Sequence, residues 1–230
     1  MKTVIFTRAQ EDELYNGDNV VKALRQGDMV TWRIWYNGDK RVKPTKAEEG
    51  DRCFVLQEGM GIIASGVVGT VSFERGEARL SGCGMILIEL VSDKVGKPLL
   101  AMEALAEVMA CAKPSLNRAE LVLEKKTDIF LLEELWMKAV IETNSCPKSV
   151  KKDVWKLDHL HELTAEALQH RLLTDHPACP CCGSSLSAND QLFYQPKMIK
   201  GAPEGVVSFE DLLAQYALLC KDCASIEKGL

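Results

Sequence analysis

The chain has 230 residues, of which 47% are hydrophobic and 27% charged, as expected for one large or two small globular domains. Its net charge of −5 excludes a uniformly basic nucleic-acid-binding protein, so contact with DNA or RNA would require a local basic patch. The most apolar run, residues 60–69, is too short to span a bilayer, and the first residues lack the pattern of a signal peptide. These features predict a cytoplasmic protein with no membrane partner.

The first part of the chain is predicted to consist mostly of short β-strands separated by turns. A helix is predicted over residues 18–25, with Asp18 as its N-cap. The spacing of turns between the strands favours a small barrel or a strongly curved sheet. The predicted strands are 3–6, 29–36, 52–57, 61–73 and 79–91, the last broken near residues 82–84.

Helical periodicity predominates in the rest of the chain. Apolar residues at helical spacing predict helices over 98–112, 127–142 and 155–173. A further helix is predicted over 208–219, because Ser208 and Asp211 have the spacing of a capping box. The polar stretch that contains Pro147 marks the predicted boundary. The sequence therefore predicts an α+β protein with a first domain over 1–142, a linker over 143–153 and a second domain over 154–230.

Residues 1–142 resemble the EVE-like branch of the PUA-like superfamily in the order of their elements. The shared features are an early tryptophan, a Gly-Asp pair before an apolar strand, and a glycine-rich strand after it. A further strand, a helix that begins at a proline and a leucine-rich segment follow. In this sequence the features are Trp32-Arg33-Ile34, residues 49–56 (EGDRCFVL), 61–68 (GIIASGVV) and 85–90 (MILIEL), then Pro98 and residues 131–136 (LLEELW).

The resemblance implies a compact β-barrel with flanking helices and a pocket that receives one base, often a modified one, flipped out of a nucleic acid. Such a pocket reads the base by stacking and hydrogen bonding, which suits an acidic protein. Trp32, Trp35 and Tyr36 are the candidate wall residues. Because side chains alternate along a strand, Trp32 and Tyr36 share one face and Trp35 lies on the other, so at most two line one pocket. Core packing of these aromatic residues is the alternative.

A basic loop follows the aromatic strand. Phosphate contacts beside a base pocket require lysine or arginine near its entrance. The candidate residues for this role are Lys40, Arg41, Lys43 and Lys46. The alternative is an ordinary solvated loop.

Two CxxC motifs near the end of the chain carry the strongest signal in the sequence. They comprise Cys179 with Cys182, and Cys220 with Cys223. A CxxC turn brings two thiolates within reach of one cation, so two such turns predict a tetrahedral Cys₄ site with a structural Zn²⁺. A redox dithiol normally occurs singly. The competing ligand assignment replaces Cys179 with Cys181.

The layout of residues 165–230 resembles an HNH nuclease module, and an EVE-like reader joined to an HNH module implies restriction of modified DNA. The chemistry of that family needs a histidine between the two CxxC pairs and further metal ligands. No histidine lies in residues 183–219, and Ala224 stands where a histidine usually follows the second pair. The resemblance therefore implies a small helical or ββα zinc-stapled module, and the missing histidines predict that it has no catalytic residues.

Three functions remain open from the sequence. The first is a non-catalytic protein that reads a modified or flipped base, with nucleic acid, most simply DNA, as its partner. The second is an active modification-dependent endonuclease of the HNH type, and the third is a zinc-stapled protein-interaction module such as an inhibitor or decoy. Loss of the general base disfavours the second. The sequence leaves open whether the protein forms a homodimer.

Overall fold

The computed structural model describes residues 2–8, 24–25, 27–36, 45–75, 80–92, 97–114, 119–142, 160–194 and 208–227. The chain divides into two compact units, Met1–Cys146 and Pro147–Leu230. The predicted linker over 143–153 lies outside the described residues, as does the predicted helix over 18–25 apart from its last two residues. Strands and helices both occur, so the predicted α+β class is confirmed.

An eight-stranded mixed sheet forms the centre of the first unit. Strand β1 pairs in parallel with β3, and the other pairings are antiparallel. The order is β2-β5-β4-β3-β1-β8-β7, with β6 attached to β4. The strands are β1 (Thr3–Arg8), β2 (Met29–Tyr36), β3 (Arg52–Gln57), β4 (Gly61–Arg75), β5 (Leu80–Val91), β6 (Leu100–Ala101), β7 (Lys113–Pro114) and β8 (Glu120–Leu123).

The sheet is open rather than a closed barrel. Within the described part of the chain, no pairing joins the two edge strands β2 and β7. The predicted strands over 29–36 and 52–57 are confirmed. The predicted break in β5 near residues 82–84 is wrong, since β5 is continuous from Leu80 to Val91. The register of the β4–β5 pair shifts elsewhere, between Ser65 and Gly66 and between Val68 and Val71. A Cβ atom on Gly66 would collide with the carbonyl oxygen of Leu87, which explains why glycine stands at this shift.

One hydrophobic cluster of the first unit is built from side chains of its central strands. Phe6, Val55, Ile63 and Ile88 are among its buried members. Trp32 is half-buried and packs against this cluster. Burial of this kind is the main favourable contribution to folding, at about 25 cal/mol per Å² of apolar surface.

Two helices and a 3₁₀ segment complete the first unit. The 3₁₀ segment Met102–Leu105 leads into α1 (Ala106–Cys111), and α2 spans Lys126–Glu142. The predicted helix over 98–112 is wrong at its start, because Leu100 and Ala101 pair with Ile62 and Gly61 as β6. The predicted helix over 127–142 is confirmed within one residue.

A charged side chain is buried in the first unit among residues of β3, β5 and α2. Arg52 donates to Glu133 at 3.0 Å and to Glu89 at 2.6 Å, and its side chain is 1% exposed. Its guanidinium also lies 4.8 Å from the ring centroid of Phe54 and 4.9 Å from that of Trp136. The two carboxylates raise the pKa of Arg52 against the opposing effect of burial, which is the largest single influence.

The second unit contains three helices and a two-stranded sheet. They are α3 (Glu162–Asp175), β9 (Gln191–Tyr194), α4 (Phe209–Leu213), β10 (Tyr216–Leu219) and α5 (Lys221–Glu227). Strands β9 and β10 are antiparallel, α4 lies between them in the chain, and α5 follows β10 directly, so the order from residue 191 to residue 227 is βαβα.

Two sequence predictions for the second unit require correction. The capping box of Ser208 and Asp211 is confirmed, but the helix that it begins ends at Leu213. Residues 216–219 instead form β10, because they pair with β9. The predicted helix over 155–173 corresponds to α3, which begins only at Glu162, because residues 160 and 161 are not helical. His161 is its N-cap, and the His161 Nδ1 accepts a hydrogen bond from the backbone N–H of Leu163.

Candidate metal centre

Four cysteines from two separate segments meet in the second unit. The sulfur atoms of Cys179, Cys182, Cys220 and Cys223 all lie within 4.8 Å of one another. The sulfurs of Cys182 and Cys220 are 3.5 Å apart. A tetrahedron of Zn–S bonds of about 2.3 Å has sulfur–sulfur edges of about 3.8 Å, so this cluster has the size that a tetrahedral ion requires. All four are free thiols.

A tight turn positions the first pair of cysteines. The backbone N–H of Gly183 donates to the carbonyl of Cys179 at 2.9 Å, and the N–H of Cys179 donates to the carbonyl of Ser184 at 2.8 Å. Gly183 has a φ of 76°, a conformation that favours glycine. An isolated bridge between Ala178 and Ser185 closes the turn. The local sequence therefore directs Cys179 and Cys182 toward one point.

The start of α5 positions the second pair. Cys220 directly precedes the helix, and its carbonyl accepts from the N–H of Ala224 at 2.9 Å. Cys223 lies in the first turn. Strand β10 ends at Leu219, so its pairing with β9 determines where the helix begins.

The hydrogen bonds in the cluster affect the four thiols differently. Hydrogen bonding from the backbone of Cys220 lowers the pKa of Cys179 to about 6, although burial of the thiol opposes this shift. Ser184 lowers the pKa of Cys182 by hydrogen bonding to its sulfur. Hydrogen bonding from Cys182 and then Cys220 raises the pKa of Cys223. Four thiolates this close repel one another, and a divalent cation removes that repulsion.

The fifth cysteine of the motif, Cys181, is exposed and is not one of the four clustered residues. Its pKa is raised by loss of hydration of the sulfur atom next to the turn and by the charge of Cys179. Cys179, by contrast, is only 2% exposed. The geometry therefore favours Cys179 over Cys181 as the ligand.

No histidine belongs to this cluster. Within the described residues, His161 caps α3, His170 is exposed on the same helix and His176 ends it, whereas His159 lies outside them. Ala224, the residue directly after the second CxxC pair, is buried and has no metal-binding group. Between the two CxxC pairs, residues 191–194 form β9. The four sulfurs can hold an ion, and all four clustered ligands are cysteines.

The candidate base pocket is described only in part. Trp32 is half-buried, and its ring lies 5.4 Å from that of Phe6, a core residue. The backbones of Trp35 and Tyr36 belong to β2, but their side chains lie outside the described residues. The contact with Phe6 is of the kind expected for core packing, so the role of Trp32 as a pocket wall stays a prediction.

The candidate phosphate loop is also described only at its end. Lys40, Arg41 and Lys43 lie outside the described residues. Lys46 is exposed, with its Nζ 3.8 Å from Glu124, and its backbone N–H donates to buried Glu120 at 2.7 Å. The loop end is therefore anchored to β8, and the charge of Lys46 is partly balanced.

Sequence reasoning missed two features of the protein. The first is the buried ion pair of Arg52 and Glu133, which a charged residue inside each of two apolar segments could have indicated. The second is an apolar groove of about 660 Å³ beside the cysteine turn, for which the sequence has no signal because its lining comes from four separate segments.

The chain matches no family model, no curated protein and no solved structure. None of the helices in the described part of the chain is long and apolar enough to cross a membrane.

Proposed function

We propose that this protein binds nucleic acid and reads a modified or flipped base, and that a structural Zn²⁺ holds its second unit together. The observation that supports the metal is the cluster of four sulfurs within 4.8 Å. Sulfur is the ligand of structural zinc sites, and a complete set of four leaves no position open for a reacting water.

The identity of the ion follows from the ligand chemistry. Four thiolates select a soft or borderline ion, whereas Mg²⁺ and Ca²⁺ require oxygen ligands. Tetrahedral S₄ sites suit zinc or iron, and zinc is the ion that serves a purely structural role without redox chemistry. Elemental analysis of protein purified without chelator tests this, with about one zinc per chain expected.

Two observations support the proposal that the first unit recognises a single base. They are the resemblance of residues 1–142 to EVE-like domains and the aromatic residues of β2. An acidic protein can bind a base through stacking, which does not require a broad basic surface. The expected pocket is bordered by Trp32 and Tyr36, or by Trp35 on the other face of the strand. In this proposal the open sheet takes the place of the closed barrel that the resemblance implies.

Cleavage is not part of the proposed function. A hydrolytic centre needs an open metal position and a general base, whereas four cysteine ligands would fill every position of a tetrahedral ion and none of the four is a histidine. We therefore propose a reader that has the layout of a nuclease without its activity.

The decisive experiment measures binding and cleavage on the same duplexes. These would contain cytosine, methylcytosine or hydroxymethylcytosine, as duplexes and as single strands, with Mg²⁺ or Mn²⁺ present. We expect selective binding of one substrate and no cleavage. Failure to bind any of them would refute the reader, and cleavage that co-purifies with the intact protein would refute the non-catalytic assignment.

A further inference from the structure

An apolar groove of about 660 Å³ lies beside the cysteine turn in the second unit. Its floor contains Leu172, Tyr216 and Leu218, which are buried, and half-buried Leu186 and Leu213 also line it. Grooves of this size and composition are typical of binding sites rather than of ordinary surface. The four sulfurs account for the metal, so the groove requires a separate explanation.

Two carboxylates stand on the lining of this groove. Asp175 is the last residue of α3, and Glu210 lies in the first turn of α4. Helix α3 has no basic residue in its last turn, so its carbonyl end adds to the negative potential there. Arg171 pairs with Asp175 at 2.8 Å, but both side chains are partly exposed, so this neutralisation is weak.

The second unit carries only a slight negative charge, with 11 Asp/Glu against 9 Lys/Arg over residues 147–230. The charge that matters for the groove is therefore local. The carboxylates of Asp175 and Glu210, on its lining, favour a cationic ligand over an anionic one.

We propose that the groove binds a basic amphipathic segment of a partner protein. The apolar side chains of that segment lie on the floor, and its Lys or Arg residues reach Asp175 and Glu210. An amphipathic helix in a hydrophobic groove is an established mode of peptide recognition. Carboxylates at the rim of such a groove favour a peptide with positively charged side chains. This interaction is separate from base reading, since it requires only a folded, metal-loaded second unit.

The test uses labelled synthetic peptides and the full-length, metal-loaded protein. The probe contains leucines at i, i+3, i+4 and i+7 and lysines on the opposite helix face. One reference peptide has glutamate in place of lysine, and another has the same composition in scrambled order. We expect saturable binding of the probe by fluorescence anisotropy, with binding to both reference peptides at least about 10-fold weaker.

A matched pair of variants places the binding in the groove. Glu210→Lys reverses an exposed charge in the first turn of a helix that lines the groove. Glu162→Lys makes the same change in the first turn of α3, and Glu162 is not among the residues that line it. We expect the first variant to weaken binding by about 5-fold or more and the second by less than about 2-fold. The zinc content of each sample verifies that the second unit is folded.

Several outcomes would overturn the proposal. One is that the metal-loaded protein does not bind the probe at all, and another is that it binds the scrambled or acidic peptide as tightly as the probe. A third is that Glu210→Lys and Glu162→Lys lower the affinity for the probe by the same factor. Self-association that depends on Glu210, measured by sedimentation, would identify the occupant as a second copy of the chain. None of these results depends on whether the first unit binds nucleic acid, so the two proposals fail separately.

Discussion

The two units of this protein differ in what holds them together. In the first unit, an eight-stranded sheet and two helices bury many large apolar side chains, and even a charged residue, Arg52, is enclosed among aromatic rings and carboxylates. In the second, one buried cluster consists of Cys179, Leu219 and Ala224, so a candidate metal ligand is itself part of the core. From this comparison we predict that metal–sulfur bonds add stability to the smaller second unit, in addition to its apolar core.

The largest expected effect is the loss of the second unit on removal of one ligand. We predict that Cys220→Ser removes the stoichiometric zinc, because three thiolates and a hydroxyl bind the ion far more weakly. Binding of structural zinc contributes about 10–16 kcal/mol in small zinc modules, so its loss unfolds a unit of this kind. Elemental analysis and hydrogen exchange would measure the two consequences.

The same exchange experiment supplies an internal control for that variant. Amides of β3 and β4 in the first unit should keep their protection, whereas those of β9, β10 and α5 should lose it. If the second unit stays protected without metal, its core is sufficient and the contrast between the units is wrong.

The second prediction concerns the buried charge of the first unit. Arg52→Met leaves Glu133, which is fully buried, without the cation that it contacts at 3.0 Å. Breaking a buried ion pair on one side typically costs about 3–5 kcal/mol, so we expect a destabilisation of that size. Urea denaturation followed by signals of the first unit would measure it. The second unit should keep its zinc.

Two further variants make this measurement specific. The double variant Arg52→Met, Glu133→Leu removes both charges and should recover most of the lost stability. Lys138→Ala removes an i,i+4 pair with Glu134 on the same helix, where both partners are partly exposed, and should cost less than about 1 kcal/mol. Equal losses for Arg52→Met and Lys138→Ala would show that burial of the ion pair has no energetic importance.

The sequence predicted the parts of this protein that depend on local chemistry. The paired CxxC spacing identified the four clustered cysteines, and the β-branched and aromatic residues identified β2 and β3. The secondary-structure predictions failed where pairing with a strand distant in the sequence determines the local conformation. The apolar residues in 216–219 continue the helical spacing of residues 208–213. They nevertheless form a strand, because their backbone groups hydrogen-bond to β9.

Residues 100–101 form β6 for a similar reason, since their partners are in β4. The closure of the sheet also could not be predicted, because it depends on which strands become edges. The ion pair of Arg52 and Glu133 joins residues 81 positions apart, and a single sequence carries no signal that pairs them.

The third prediction separates packing from base recognition in the first unit. Trp32 is half-buried against Phe6, so Trp32→Ala should destabilise the first unit by about 3 kcal/mol, the lower end of the range for core aromatic residues. If Trp32 also borders the base pocket, the affinity for the preferred duplex should fall about 5- to 150-fold, measured at a temperature at which the variant is still folded. Thermal denaturation and duplex titration on one sample would measure both.

The result for Trp32 can be checked against Trp35 and Tyr36 by the same two assays. A wall residue loses affinity with little change in stability, and a core residue loses stability in proportion to its burial. Unchanged affinity in all three alanine variants would place the pocket elsewhere and would remove the reader proposal's main structural support.

The smallest expected effect is that of Cys181→Ser. Cys181 lies between two clustered cysteines in sequence, but it is exposed and is not one of the four sulfurs that meet. Cys179 has only 2% exposure, and its backbone N–H holds the turn through Ser184 at 2.8 Å. Because an exposed thiol outside the cluster contributes no metal bond, Cys181→Ser should retain about one zinc per chain and change stability by less than about 0.5 kcal/mol.

Cys179→Ser is the matched variant, with the same chemical change two positions away. It should lose the zinc and unfold the second unit, as Cys220→Ser does. Zinc content and thermal denaturation of the two serine variants would therefore differ sharply. If Cys181→Ser loses the metal and Cys179→Ser retains it, the ligand set is Cys181, Cys182, Cys220 and Cys223. In that case the turn closed by Gly183 directs a different sulfur toward the ion, and the buried position of Cys179 is ordinary core packing.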